Sequence, residues 1–245
     1  PSMGKTSLAM NIVEHIALVA KKPVGVFSLE MTSEALVARM LFSQAHTSLR
    51  DARDGFLSTS DFQRMTTAAG RMIKAPLYID DTPGLSILQL RAKARRLKQK
   101  NDIKAVIIDY RQLMTSGHRV ESRQQEVSEI SRGVKAMARE LDVPVLCLVQ
   151  LTRAAEQREG HRPRMSDLRE SGSIEQDADV VMFLHREDVY TTEDEWAQQN
   201  PGQPYPKSVA DLIVSKHRNG PTGSLQLFFR GDYVRFDSLA RVDDF

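Results

Sequence analysis

An α/β fold, with a mostly parallel wound sheet and an antiparallel edge, is predicted for these 245 residues by three observations. Helix-periodic segments alternate with short apolar runs through most of the chain. Three of those runs end in a polar residue, Glu30, Asp109 and Gln150, as expected where a parallel sheet carries its site at the carboxyl ends of its strands. The last two runs are joined by the turn-rich RNGPTG, which marks an antiparallel pair.

The elements follow in order. PSMGKTSLAM opens the chain, and Gly4-Lys5-Thr6 supplies the second half of the phosphate-loop pattern G-x-x-x-x-G-K-[ST]. The first glycine of that pattern would fall two residues before Pro1, so a fragment beginning inside the loop is expected. SLAMNIVEHIALVA places Leu8, Ile12, Val13, Ile16 and Val19 near helical spacing, and VGVFSLE after it reads as a buried strand. The same signature returns at APLYIDD (75–81), KAVIIDY (104–110), VPVLCLVQ (143–150) and DVVMFLH (179–185), each after a helix-like segment. VADLIVSK (209–216) and SLQLFF (224–229) form the antiparallel pair. Before them lies an insertion of about 186–207, REDVYTTEDEWAQQNPGQPYPK, whose five acids from Glu187 to Glu195 and Pro/Gly cluster predict a surface loop. One domain spanning 1–245 is expected.

Composition sets bounds on function. A hydrophobic content of 41% suits one sizeable core, and a net charge of +2 means that nucleic-acid binding would need a local patch. The lone Cys147 leaves no intramolecular disulfide and fits a reducing, cytoplasmic setting. No apolar stretch approaches the ~18 residues of a membrane span, and the start carries no signal-peptide pattern. RAKARRLKQK (91–100) holds six cations and no acid, but they are spread around a helix, which predicts a solvated face or a subunit contact rather than one groove-facing stripe.

The strand-end residues and the loop define a nucleotide chemistry. Backbone N–H groups around Ser2, Gly4, Lys5, Thr6 and Ser7, at a helix start, would cradle phosphates. Lys5 would pair with the outer phosphates, and the Thr6 hydroxyl would ligate Mg²⁺. Asp109 is the carboxylate that would hold the same metal. Glu30, the strand-end acid not committed to the metal, is the candidate general base, and the Gln150 amide would sense the γ-phosphate.

SMGKTSLAMN, VFSLEM, VIIDYRQLM, DLRESGSIEQDADVVMFLHR and KHRNGPTG together resemble the ATPase domain of DnaB-type replicative DNA helicases, which have a RecA-like P-loop core. The resemblance covers roughly residues 1–237. It implies a homo-hexameric ring that encircles single-stranded DNA, binds ATP between subunits and unwinds with 5'-3' polarity. It also implies that Lys216 and Arg218 reach into the neighbour's ATP site. Arg169, Glu170 and Gly172 match the central-channel loop that meets DNA phosphates, and Arg39 borders the nucleotide. The family's amino-terminal domain, which meets the primase, is expected to lie outside this sequence, and primase and loader contacts are expected through such missing regions. Arg111 stands where the family usually has an apolar residue, and Val149 where it usually has a small hydroxyl residue. Other readings of the same residues are a filament-forming RecA/RadA-type recombination ATPase and a nucleotide-gated binding module that does not hydrolyse.

Overall fold

The computed structural model describes residues 3–109, 122–151 and 160–239. Helix α1 (Lys5–Glu14) continues as a π-helical turn (His15–Val19) into strand β1 (Val24–Ser28). Helices α2 (Ser33–Ala45), α3 (Leu49–Asp54) and α4 (Thr59–Met72) lead to β2 (Leu77–Asp80), α5 (Ile87–Asn101) leads to β3 (Ala105–Asp109), and α6 (Arg123–Leu141) leads to β4 (Val145–Leu148). A 3-10 stretch (Met165–Ser171), α7 (Gly172–Asp177), β5 (Val180–His185), a 3-10 turn (Glu187–Val189) and α8 (Glu193–Gln199) precede β6 (Val209–His217), β7 (Gly223–Arg230) and β8 (Arg235–Ser238).

The first four strands form a parallel sheet in the order β2-β1-β3-β4. From β1 the chain runs outward to β2 and then crosses back to β3, so the strand order reverses between β1 and β3. A crevice opens at such a switch point, outside the carboxyl ends of the strands. Side chains alternate across β3. Val106 and Ile108 pack with Leu90 and Ala94 of α5 and with Ile130 and Met137 of α6. Ala105 and Ile107 face the other way, toward Met10 and Val13 of α1 and Leu36 and Met40 of α2. With both faces covered, every residue of β1 and β3 is buried. That is why these strands read as continuous apolar runs.

The other four strands make an antiparallel sheet, β5-β6-β7-β8. The predicted α/β class therefore holds, but DVVMFLH joins the antiparallel sheet instead of the parallel one. Its burial explains the difference: Val181, Phe183 and His185 are inside while Val180 and Met182 are exposed. This is the one-sided alternation of an antiparallel strand, concealed in sequence because the outward positions are also apolar. The sequence reading also misses β8, a four-residue strand with a single large apolar side chain, Phe236.

Three further expectations change. The insertion is not a plain loop: Thr192 and Glu195 form a capping box that starts α8, Arg186 grips Asp188 with two hydrogen bonds of 3.1 and 3.0 Å, and Asp188 accepts from the Ser208 amide at 2.9 Å. The T-x-x-E signature was present in the sequence. The buried face of α1 is Ser7, Ala9, Met10, Val13 and Glu14, whereas Ile12 and Val19 are exposed. Finally, most cations of RAKARRLKQK bond within the chain. Arg91 and Arg95 both reach Glu140 of α6, Lys93 reaches Asp80 at the end of β2, and Lys98 reaches the Ile103 carbonyl. The helix is stapled to its neighbours by residues that composition alone marks as solvated.

Candidate active site

The crevice outside β1 and β3 is built from the start of α1, the ends of β1, β3 and β4, and one face of α2. Gly4 caps α1 in the left-handed conformation, φ 90° and ψ 23°, and no side chain caps this helix end. The first intrahelical bond runs from the Leu8 amide to the Gly4 carbonyl at 2.9 Å. The amides of Lys5, Thr6 and Ser7 are thus the helix's orphan donors, where the dipole favours an anion. A Cβ on Gly4 would lie 2.8 Å from the Phe236 ring of β8, so glycine is required by contact as well as by φ.

Asp109 closes β3, paired in register with Ser28 of β1 and Leu148 of β4. Its Oδ2 accepts a hydrogen bond from the Thr6 hydroxyl at 3.0 Å. Burial is the main force holding the Asp109 carboxyl above its ordinary pKa; the Thr6 bond opposes it, the charge of Glu30 adds to it, and Lys5 and Arg39 oppose it. Lys5 is held below its ordinary range, again mainly by burial and against the attraction of Asp109 and Glu30. Its Nζ donates to the Val149 carbonyl at 2.9 Å. This contact uses backbone, so the unusual side chain at 149 does not alter it, and no sequence signal could have revealed it.

Glu30 follows β1 on a turn fixed by Ser28, whose hydroxyl donates to the Met31 carbonyl at 2.6 Å and accepts from the Met31 amide at 3.3 Å. Gln150 lies two residues past the end of β4 and adjoins Val149. Arg39 projects from α2 and lines a small cavity with Thr6, Ser7, Glu14 and Val234. Lys5, Thr6, Glu30, Arg39 and Asp109 are therefore one electrostatic cluster. Ser2 and Arg111 lie outside the described residues.

Lys216 and Arg218 are not part of that cluster. Lys216 donates to the Glu175 carbonyl at 2.5 Å; Arg218 donates to the Gln176 carbonyl at 2.6 Å and pairs with Asp179 at 3.3 Å. The Arg218 side chain keeps 44% of its surface exposed. Beside it, Arg132, Lys135 and Arg139 of α6 line a cleft of about 250 Å³. Arg169 and Glu170 fall in the 3-10 stretch and Gly172 opens α7, so the expected loop is helical in its backbone.

The donor set can be tested against a cation. Among the described residues no group of three His, Cys, Asp or Glu side chains converges. An ion at this crevice would take only the Thr6 hydroxyl and the Asp109 carboxylate from the protein, with phosphate and water supplying the rest. That arrangement suits a small, hard cation that keeps its water.

Comparison with known proteins fits this geometry. The profile of the family described as "DnaB-like helicase C terminal domain" matches residues 1–238. The chain belongs to that family. It is 47% identical over 245 residues to the replicative DNA helicase DnaB of Geobacillus stearothermophilus, covering 100% of this chain and 52% of the relative. It is 48% identical over 242 residues to that of Leifsonia xyli subsp. xyli, covering 99% and 51%. The chain thus spans about half the length of the curated relatives it matches. A solved structure described as an ATPase domain superposes with a TM-score of 0.88 at 36% identity, over 98% of this chain and 82% of that one. "The Structure Of A DnaB-Like Replicative Helicase And Its Interactions With Primase" matches at the same TM-score and identity, over 98% and 56%. The core is a RecA-like, nucleotide-binding P-loop fold, and the family implies a divalent metal. Among the described residues no helix is long and apolar enough to cross a membrane.

Proposed function

We propose that residues 1–245 are the single motor domain of a hexameric, cytoplasmic replicative helicase that hydrolyses ATP between subunits, moves 5'-3' on single-stranded DNA and excludes the other strand. The observation that carries this reading is the Thr6–Asp109 hydrogen bond at the strand switch point, with Lys5 and Glu30 in the same electrostatic field.

In this reading the α1 amides from Gly4 to Ser7, together with Ser2, cradle the phosphates, and Lys5 moves from the Val149 carbonyl to the outer phosphates. Thr6 and Asp109 would hold Mg²⁺, which when bound would supply charge neutralisation at the phosphate oxygens. Glu30 accepts a proton from the attacking water, Gln150 reads the γ-phosphate, and Arg39 borders the nucleotide. Lys216 and Arg218 act in the neighbouring subunit's site, which accounts for their distance from this chain's own cluster and for the exposure of Arg218. Arg169, Glu170 and Gly172 contact DNA phosphates, giving sequence-independent, salt-sensitive binding. Primase and loader act through regions beyond this sequence.

The test is ATPase activity of the full-length gene product with and without single-stranded DNA. Turnover stimulated by DNA, reduced about 10²–10⁴-fold by Glu30→Gln with ATP binding retained, is the expected outcome. A wild-type protein that binds ATP without turning it over would instead be the nucleotide-gated binding module.

A further inference from the structure

Glu14 has no part in the chemistry above, yet it is a carboxylate only 4% exposed on the face of α1 that packs against the body of the fold. A buried carboxylate is costly unless its oxygens are satisfied. Glu14 Oε2 accepts from Gln44 Nε2 at 2.7 Å and from the Ser43 hydroxyl at 3.3 Å, both on α2. Arg235 of β8 pairs with the same oxygen at 3.6 Å, and Asn11 lies one turn earlier on α1.

Asn11 is the link to the site. Its Oδ1 accepts from the Phe236 amide at 2.8 Å, and Glu14 pairs with Arg235, the residue before Phe236, so two side chains of α1 hold the same point of β8. Phe236 is the residue whose ring lies against Gly4 of the phosphate loop. On the other side, Ser43 lies one helical turn beyond Arg39, which acts on Asp109 through its charge. The seam among α1, α2 and β8 leaves a cavity of only about 10 Å³.

We propose that Glu14 is a positioning residue for nucleotide binding: it holds Arg235 beside the Asn11–Phe236 bond, sets β8 so that the Phe236 ring buttresses Gly4, and fixes the α2 turn that presents Arg39. This rests on the nucleotide reading of the site, though not on hydrolysis or DNA movement. An apolar residue of equal size would fill the space but would take away the acceptor shared by Ser43, Gln44 and Arg235. A glutamine would remove the charge facing Arg235 and bring an amide donor among the donors Ser43, Gln44 and Arg235.

The experiment uses the full-length protein and a fluorescent ADP as probe. Glu14→Gln and Asn11→Ala should each weaken ADP binding about tenfold, and the ATPase loss should fall on KM rather than kcat. Combined, they should weaken binding no more than either alone, because they break one chain of contacts. Phe236→Ala reaches the same phenotype from the far end and stands in if Glu14→Gln folds poorly. A fall in thermal stability with unchanged ADP affinity, or additive effects in the double variant, would overturn the proposal. Wild type that binds ADP but shows no DNA-stimulated turnover removes the helicase reading and leaves the variants to decide this one. Wild type that binds no ADP removes both.

Discussion

The two sheets hold their functional groups in opposite ways. In the parallel half, Lys5 and Asp109 are partly or wholly buried, Lys5 bonds the Val149 carbonyl just past β4 while Asp109 ends β3, and both have their ionisation perturbed by that burial. In the antiparallel half, Lys216 and Arg218 sit at the end of β6, bonded to the carboxyl-terminal carbonyls of the short helix α7 and to Asp179. Cations at a helix carboxyl end complete its orphan acceptors and complement its dipole. These bonds are few and partly solvated, so they can be exchanged. Under the proposed function, the fixed site of one subunit would be completed by these exchangeable cations of its neighbour.

The largest effect expected from this contrast belongs to the loose half. Arg218→Ala should lower steady-state turnover by about 10³–10⁵-fold, as for trans-acting arginines in other NTPases, while nucleotide binding by the same subunit persists. The decisive measurement mixes Arg218→Ala subunits with Lys5→Ala subunits. If the arginine works on a neighbour, mixed rings regain turnover that neither parent has. If it serves its own subunit, mixing restores nothing.

A smaller effect tests the fixed half. Gly4→Ala should suffer twice. A side chain at φ 90° costs about 1–2 kcal/mol, and the Cβ contact with Phe236 at 2.8 Å adds an overpacking cost of about 1–3 kcal/mol. Adding Phe236→Leu should relieve only the second part. Urea unfolding midpoints of the single and double variants check this. Full recovery would mean that the ring, rather than the backbone angle, is the whole reason for glycine.

The same contrast explains what the sequence made legible. Asp109 was legible as a rim position because β3, covered on both faces, is an uninterrupted apolar run that this acid ends. Lys216 and Arg218 had no such marker. A K-x-R at a strand end looks like any exposed turn, and only the resemblance singled them out. β5 was placed in the wrong sheet because its exposed positions, Val180 and Met182, are apolar. Glu14 and Phe236 escaped for a different reason: their importance lies in contacts between α1 and a strand more than 200 residues later, at a separation of 225 for the Asn11–Phe236 bond. An acid one turn after Met10 on the buried face of α1 was the available clue.

The smallest effect expected lies in the pair of bonds by which α5 holds α6. Arg95 and Arg91 draw the Glu140 carboxyl down to about 2, chiefly by hydrogen bonding. A carboxyl whose folded pKa lies below its unfolded value, about 4.3, stabilises the fold above that unfolded value and loses the contribution as pH falls toward 2. Glu140→Gln should therefore be slightly less stable than wild type at pH 7, and the two thermal midpoints should converge between about pH 4 and pH 2. Both arginines and the glutamate are partly solvated, so the gap at pH 7 should also shrink in high salt. A gap that grows on acidification would mean that Glu140 is protonated in the fold and that the α5–α6 seam is held by its apolar residues, Leu90, Ala94 and Met137 among them, without help from this charge.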